Sequence, residues 1–292
     1  MVHKTYITKK LITDALLEDQ VAVDLTTRLI PGDAQCKAVF LVKQPGILAG
    51  IHVAMEVFRQ VDDHLCFTIL QGDGSSVLSG ETVAVVEGSL GSVLSAERTS
   101  LNFVQRMSGV ATYTNEFVRL VEDLPANIVD TRKTVPGWRL LDKYSVRMGG
   151  GGNHRFSLAD GVLIKDNHIA AGRAVGLDLE ALIARARRES PHTVRIEIET
   201  ETLDQVEAAL RAGVDIVMLD NMDLETMSQA VALCRGRALT EASGNVNLET
   251  VRDIAKTGVD VISVGSITHS SRALDISLEV DVSDSASSDS VL

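Results

Sequence analysis

From Ala126 onward the chain repeats one pattern: a short apolar run stops at a polar residue, and an amphipathic segment follows. The runs are Asn127–Val129 before Asp130, Gly161–Ile164 before Lys165, and Val194–Ile196 before Glu197. Asp215–Leu219 before Asp220, Ala238–Thr240 before Glu241, and Val261–Val264 before Gly265 complete the series. Between them, Leu177–Arg188, Thr202–Ala212 and Asn247–Lys256 carry apolar residues at helical spacing. Short, nearly continuous apolar strands alternating with helices predict a parallel sheet covered by helices. Nearly every strand ends in a polar residue, whereas a doubly wound sheet concentrates its ligands at one switch point. About six such β/α units therefore predict a barrel, with its chemistry at the strand ends.

The first hundred residues follow another pattern. Ala38–Val42 and Thr82–Gly88 predict strands, with turns at Pro45-Gly46 and Gly72-Asp73-Gly74 and a helix over His52–Gln60. These form an α+β domain over 1–105, joined by 270–280. One long helix over Glu97–Glu122 leads into a barrel domain over 106–269. The acidic, serine-rich end, 281–292, has too little apolar surface to order itself.

Composition narrows the function classes. A chain of 292 residues with 45% hydrophobic content buries a sizeable core, and a net charge of −12 argues against a general nucleic-acid surface. Any anionic ligand needs a local basic cluster. No signal-peptide pattern opens the sequence, and no apolar run reaches membrane-spanning length. Cys36, Cys66 and Cys234 fall in no metal or redox spacing, which predicts buried, unpaired thiols in a reducing cytoplasm.

The candidate chemistry sits after the strands. Thr131-Arg132-Lys133 offers a planar guanidinium fork beside a mobile ammonium. The pair is either a set of solvated loop charges or half of an anion site. Gly149–Gly152 precede His154-Arg155 without the residues of a phosphate-binding Walker loop. As a linker they would cut the β/α series in two, so close backbone packing that delivers His154 and Arg155 to a cavity is expected. Lys165 could be a nucleophile, a phosphate anchor or a substrate clamp; with Asp166 beside it, it is expected to stay charged. His154 and His168 match no zinc spacing. Glu197 and Glu199 share a strand face, and with Asp220 they suit either Mg²⁺ near polyphosphate or salt bridges to the lysines. Ser243-Gly244-Asn245 and Gly265–Thr268 are either plain turns or a phosphate seat in the corner that barrels commonly use.

In sequence order, ERTSLNFVQRMSGVAT, DTRKTVPGWRLLDKY, GGGGNHRFSLADGVLIKDNH, IEIET, MLDNM, EASGN and SVGSITHS resemble the quinolinate phosphoribosyltransferases. The match covers about Glu97 to Ser270. Upstream, LLEDQVAVDLTT is similar to a family stretch but lacks its glycines. The resemblance implies an incomplete, TIM-like β/α barrel with an N-terminal α/β sandwich domain. It also implies a homodimer (with a hexamer as a further possibility) that completes each barrel's site from the neighbour. The implied reaction joins quinolinate to phosphoribosyl pyrophosphate (PRPP) with Mg²⁺, giving nicotinate mononucleotide, pyrophosphate and CO₂.

By the same resemblance, Arg132, His154 and Arg155 hold the quinolinate carboxylates, with Thr131 beside them and Arg98 reaching over from the neighbour. Lys133 and Lys165 face the substrate carboxylate or the pyrophosphate. Glu199 and Asp220 lie near the ribose and metal, which is carried mainly by PRPP. Those four are the expected catalytic groups. Ser243, Gly244 and Asn245, with Gly265, Ser266 and Thr268, seat the 5′-phosphate. Two other readings share the scaffold: a related phosphoribosyltransferase, of the type associated with molybdenum transport, acting on another base, and a catalytically silent ligand-binding protein. The complete NHR and LIKDNH motifs favour quinolinate.

Overall fold

The structure, a computed structural model, describes residues 2–282, so the acidic tail from 283 on lies outside the described residues. In chain order the first elements are α1 (Val2–Glu18), β1 (Gln35–Val42), β2 (Gly46–Ile47), α2 (Ile51–Val61), β3 (Cys66–Ile69), β4 (Ser76–Val77), β5 (Thr82–Ser89) and α3 (Leu90–Leu120). Then follow β6 (Asn127–Val129), α4 (Arg139–Met148), β7 (Val162–Ile164), α5 (Asp166–Ala174), α6 (Leu179–Glu189), β8 (Ile196–Thr200) and α7 (Leu203–Arg211). The chain closes with β9 (Ile216–Asp220), α8 (Leu224–Cys234), β10 (Leu239–Ser243), α9 (Val251–Lys256), β11 (Val261–Ser263), α10 (Ser266–His269) and β12 (Ile276–Asp281).

The described residues form two compact units: 2–113, 135–150 and 271–282, and 114–134 and 151–270. The first holds an antiparallel sheet in the order β12-β1-β5-β3. Every second residue of β1 is buried, and its Phe40 meets Phe58 of α2 edge to face at 6.0 Å. Burying aromatic area and matching ring quadrupoles together fasten the helix to the sheet. The turn after α1 lacks a glycine, and Gln20 itself adopts the left-handed conformation there, at φ 52°. The segment 135–150 packs within this unit, where Trp138 stacks on Phe103 at 5.0 Å.

The second unit is the incomplete β/α barrel. Its six parallel strands run β6-β11-β10-β9-β8-β7. Val217 and Leu219 of β9 are fully buried on the helix-facing side. Each such side chain contributes about 1.5–3 kcal/mol relative to exposure. Side-chain caps start the covering helices: Asp178 accepts from the Ala181 N–H, Thr202 from Gln205 and Asp223 from Thr226. Among the described residues no helix is long and apolar enough to cross a membrane.

Two strands run further than their apolar patterns predict. β8 extends to Thr200 and β10 to Ser243, so Glu197 and Glu241 lie inside strands rather than after them. The cysteines also depart from expectation: all three are free, but Cys66 is exposed, while burial pushes the Cys234 thiol up to about 11.

The glycine run ends as a strip of sheet. Gly152 donates to the Ile128 carbonyl at 2.8 Å and bridges Val129 in parallel, on the edge of β6 away from β11. A Cβ at Gly152 would stand 3.1 Å from a Val129 methyl, and Gly150 just before it has φ 89°. The close approach that the glycines permit is therefore to strand β6.

Candidate active site

Because side chains alternate across a strand, Glu197 and Glu199 of β8, Met218 and Asp220 of β9, Glu241 and Ser243 of β10, and Ser263 of β11 share the barrel's inner face. The loops after β6 and before β7 add cations above them. A cavity of about 630 Å³ opens at the C-terminal ends of the strands. Thr131, Arg132, Lys133, His154, Arg155 and Lys165 line it, together with Glu199, Asp220, Ser243, Gly244 and Asn245. Four cations from three separate loops thus face one space.

Their charge is only partly neutralised. Lys165 Nζ lies 3.1 Å from both Glu199 carboxylate oxygens. Among the described residues the buried Arg132 Nε has no hydrogen-bond partner. Burial, and then the Arg132 guanidinium, pull the Arg155 pKa down, while Arg155 donates to the Gly161 carbonyl at 2.9 Å. Two guanidinium groups crowded together, one with an orphaned donor, make a site that an anion with two carboxylates would relieve. Across the cavity, burial and then the Glu199 carboxylate push the Asp220 pKa up.

The loop that carries His154 is clamped from below. Fully buried Asp130 accepts from the His154 backbone N–H at 2.9 Å and from the Asn153 amide at 2.8 Å. The His154 ring uses both nitrogens within the protein: Nδ1 accepts from the Arg155 N–H at 2.8 Å, and Nε2 lies 3.1 Å from Glu197 and 3.5 Å from Glu241. Burial, and then the Glu197 carboxylate, push the Glu241 pKa up. Glu197 is thus separated from Glu199: one binds a histidine in the interior, the other a lysine at the mouth. His168 plays no part in the cavity lining; its Nδ1 accepts from the Lys165 N–H and caps α5.

Three consecutive-loop residues hold left-handed backbone: Asn221, Gly244 and Asn245, at φ 53°, 90° and 51°. The Asn221 amide donates to Asp220 at 3.0 Å and accepts from Asn245 at 2.9 Å, latching the loop after β9 to the loop after β10. A Cβ at Gly244 would collide with that amide, so glycine is required twice over, by φ and by space. Strained backbone kept at a cavity mouth is a mark of function.

The other expected seat packs on Lys133, since a Cβ at Gly265 would stand 3.1 Å from that side chain. Gly265, Ser266 and Thr268 do not line the cavity. Thr268 is fully buried, and its hydroxyl donates to the Lys133 carbonyl at 2.8 Å, fixing the lysine's loop. Ser266 Oγ is buried without a partner. Arg98 is an exposed residue of α3 in the first unit.

Residues 110–279 match the quinolinate phosphoribosyl transferase C-terminal domain, and residues 24–108 match the N-terminal domain of the same family. The chain belongs to the quinolinate phosphoribosyl transferase family. A probable nicotinate-nucleotide pyrophosphorylase [carboxylating] of Bacillus subtilis (strain 168) is 44% identical over 275 residues, covering 94% of each chain. A mitochondrial quinolinate phosphoribosyltransferase [decarboxylating] of Nicotiana tabacum is 43% identical, over 96% of this chain and 84% of its own. The solved nicotinate-nucleotide pyrophosphorylase of Francisella tularensis superposes with a TM-score of 0.90 at 40% identity, covering 94% of this chain and 96% of its own. In this member of the quinolinate phosphoribosyl transferase family, the motifs DTRKT, NHR, LIKDNH and EASGN all reach the cavity wall. Asp130, Asn221 and Glu241 are not singled out by the sequence reading, although each stands inside one of the quoted motifs.

Proposed function

We infer that the chain is a nicotinate-nucleotide pyrophosphorylase (carboxylating). It transfers the phosphoribosyl group of PRPP to quinolinate with decarboxylation and releases nicotinate mononucleotide, pyrophosphate and CO₂, a step of NAD biosynthesis. The observation that carries this reading is the convergence of Arg132, Lys133, Arg155 and Lys165 on one cavity, where, among the described residues, neither guanidinium group is paired with a carboxylate.

Arg132 and Arg155 hold the dianionic pyridine, aligning its ring nitrogen with the ribose carbon. As that nitrogen attacks and pyrophosphate leaves, positive charge grows on the sugar, where Glu199 and Asp220 stabilise it. Lys133 and the paired Lys165 neutralise the departing oxygens. The ring nitrogen, now cationic, draws in the electron pair of the breaking C–CO₂ bond, and a proton from water replaces the carboxylate. The backbone around Gly244 and Asn245 seats the 5′-phosphate, supported by its left-handed conformation at the cavity wall.

Magnesium is part of this reading. Glu199 and Asp220 offer hard oxygen donors; burial first, and then their mutual repulsion, raise the Asp220 pKa, and a dication held by PRPP would relieve that repulsion. When bound, it neutralises the pyrophosphate. So too is the homodimer, with Arg98 of α3 supplying a further cation to the neighbouring site; its exposure supports that role. A reducing, cytoplasmic setting accords with the unpaired thiols.

Incubation with quinolinate, PRPP and Mg²⁺, followed by CO₂ release and nicotinate mononucleotide formation, tests the assignment. Turnover is expected and should vanish with chelator. Turnover of another base but not quinolinate would move the chain to the related phosphoribosyltransferases, and none with any base would make it a binding protein.

A further inference from the structure

His154 stands at the cavity wall, and both of its ring nitrogens also meet protein groups. Its partners are costly. Glu197 and Glu241 are 5% and 3% exposed, and each keeps one carboxyl oxygen buried without a hydrogen bond. Two buried acids inside a barrel require a reason, since each unpaired oxygen retains its desolvation penalty.

One reason would be a metal, because the ligand atoms of His154, Glu197 and Glu241 lie within 4.8 Å of one another. The ring's own proton argues against it. The Arg155 N–H donates to Nδ1, so a neutral ring carries its hydrogen on Nε2, the atom a metal would need free. That nitrogen instead lies 3.1 Å from a Glu197 carboxyl oxygen and 3.5 Å from one of Glu241.

We propose that Glu197 and Glu241 are positioning residues: they accept the Nε2–H of His154, fix that tautomer, and through Nδ1 and the Arg155 N–H set the direction of the Arg155 side chain in the cavity. The loop is then held at three points. Asp130 grips the His154 backbone, the glutamates grip its ring, and the ring grips the next peptide. Such a hold is needed because Arg155 faces Arg132, and repulsion between the two would turn an unclamped guanidinium toward solvent when no substrate is present. The role of Arg155 toward a substrate carboxylate rests on the function inferred above; the clamp itself does not.

Two measurements on the full-length protein test this. Imidazole ¹⁵N spectra, with His154→Asn identifying the signals, should show His154 as the neutral Nε2–H tautomer from about pH 6 to 8 without substrate. An imidazolium or an Nδ1–H form overturns the clamp, whatever the enzyme's substrate. In kinetics, Glu241→Ala should raise KM for quinolinate about tenfold with KM for PRPP within about twofold, and kcat should fall by less than KM rises. Glu241→Gln should restore most of the loss, because its amide oxygen accepts the same N–H. Equal damage toward both substrates, or a glutamine no better than alanine, overturns the positioning role. Should Glu241→Ala fail to fold, the spectrum of the unaltered protein still decides. Absence of quinolinate turnover by that protein would sink the functional reading instead, leaving the tautomer result to stand alone.

Discussion

Glu197 and Glu199 lie two residues apart on one strand and one face, but the mouth and the interior of the barrel make different groups of them. At the mouth, Glu199 pairs with Lys165, whose side chain is 42% exposed, and the pair borders an open cavity. Inside, Glu197 meets Glu241 and a histidine that is itself locked by its neighbour's N–H. Depth along the strand, rather than residue type, separates a group that can exchange partners with a ligand from one that is fixed. A carboxylate at the tip is available to chemistry, and one a single inward step below is available only to architecture.

That contrast can be broken. The largest effect should follow Arg155→Ala at the mouth: a loss of about 10² or more in kcat/KM for quinolinate, in line with the several kcal/mol of removing one partner of a buried charge pair. Steady-state kinetics would show it, and a loss under tenfold would mean that Arg132 holds the dianion alone. Next, Glu199→Gln should cut kcat by about tenfold or more, while Glu197→Ala should cost more in melting temperature than Glu199→Gln does, by about 2 °C or more. Reversal of that order would abolish the distinction between tip and interior.

A smaller effect depends on pH. The folded pKa of Glu241 is raised above its unfolded value, so its protonated form stabilises the fold at low pH and that contribution is lost as pH rises toward neutrality and beyond. Glu241→Gln should therefore raise the melting temperature more at pH 8 than at pH 5, as calorimetry at the two pH values would record. An equal shift at both would place the retained proton elsewhere. The smallest effect belongs to the outside of the barrel. Lys256→Gln breaks the exposed 2.7 Å pair with Asp253 and should leave kinetics and melting temperature unchanged.

Much of this was legible in the chain. Alternating apolar runs and helices gave the barrel, because a parallel sheet buried on both sides must be written that way. The cationic loops were readable because charge after a strand has few other uses. The interior acids were not. A strand reading stops at the first carboxylate, and so ended β8 before Glu197 and β10 before Glu241; what licenses these residues is a histidine from another loop, a partner that local pattern cannot supply. Asn221 escaped for a related reason, since its left-handed backbone and its bond to Asn245 arise only once two neighbouring loops are brought together. The short β3 and the distant β12 owe their place to pairing with β5 and β1.

The strip at Gly152 and strand β7 are the two ends of the parallel sheet, and residues 153–161 connect one to the other along the chain. That connection is the one that bears His154 and Arg155. A single replaceable span between two rigid edges allows a scaffold to be re-tuned toward a different aromatic acid with no strand re-registered, so new specificities would be sought first by grafting that span.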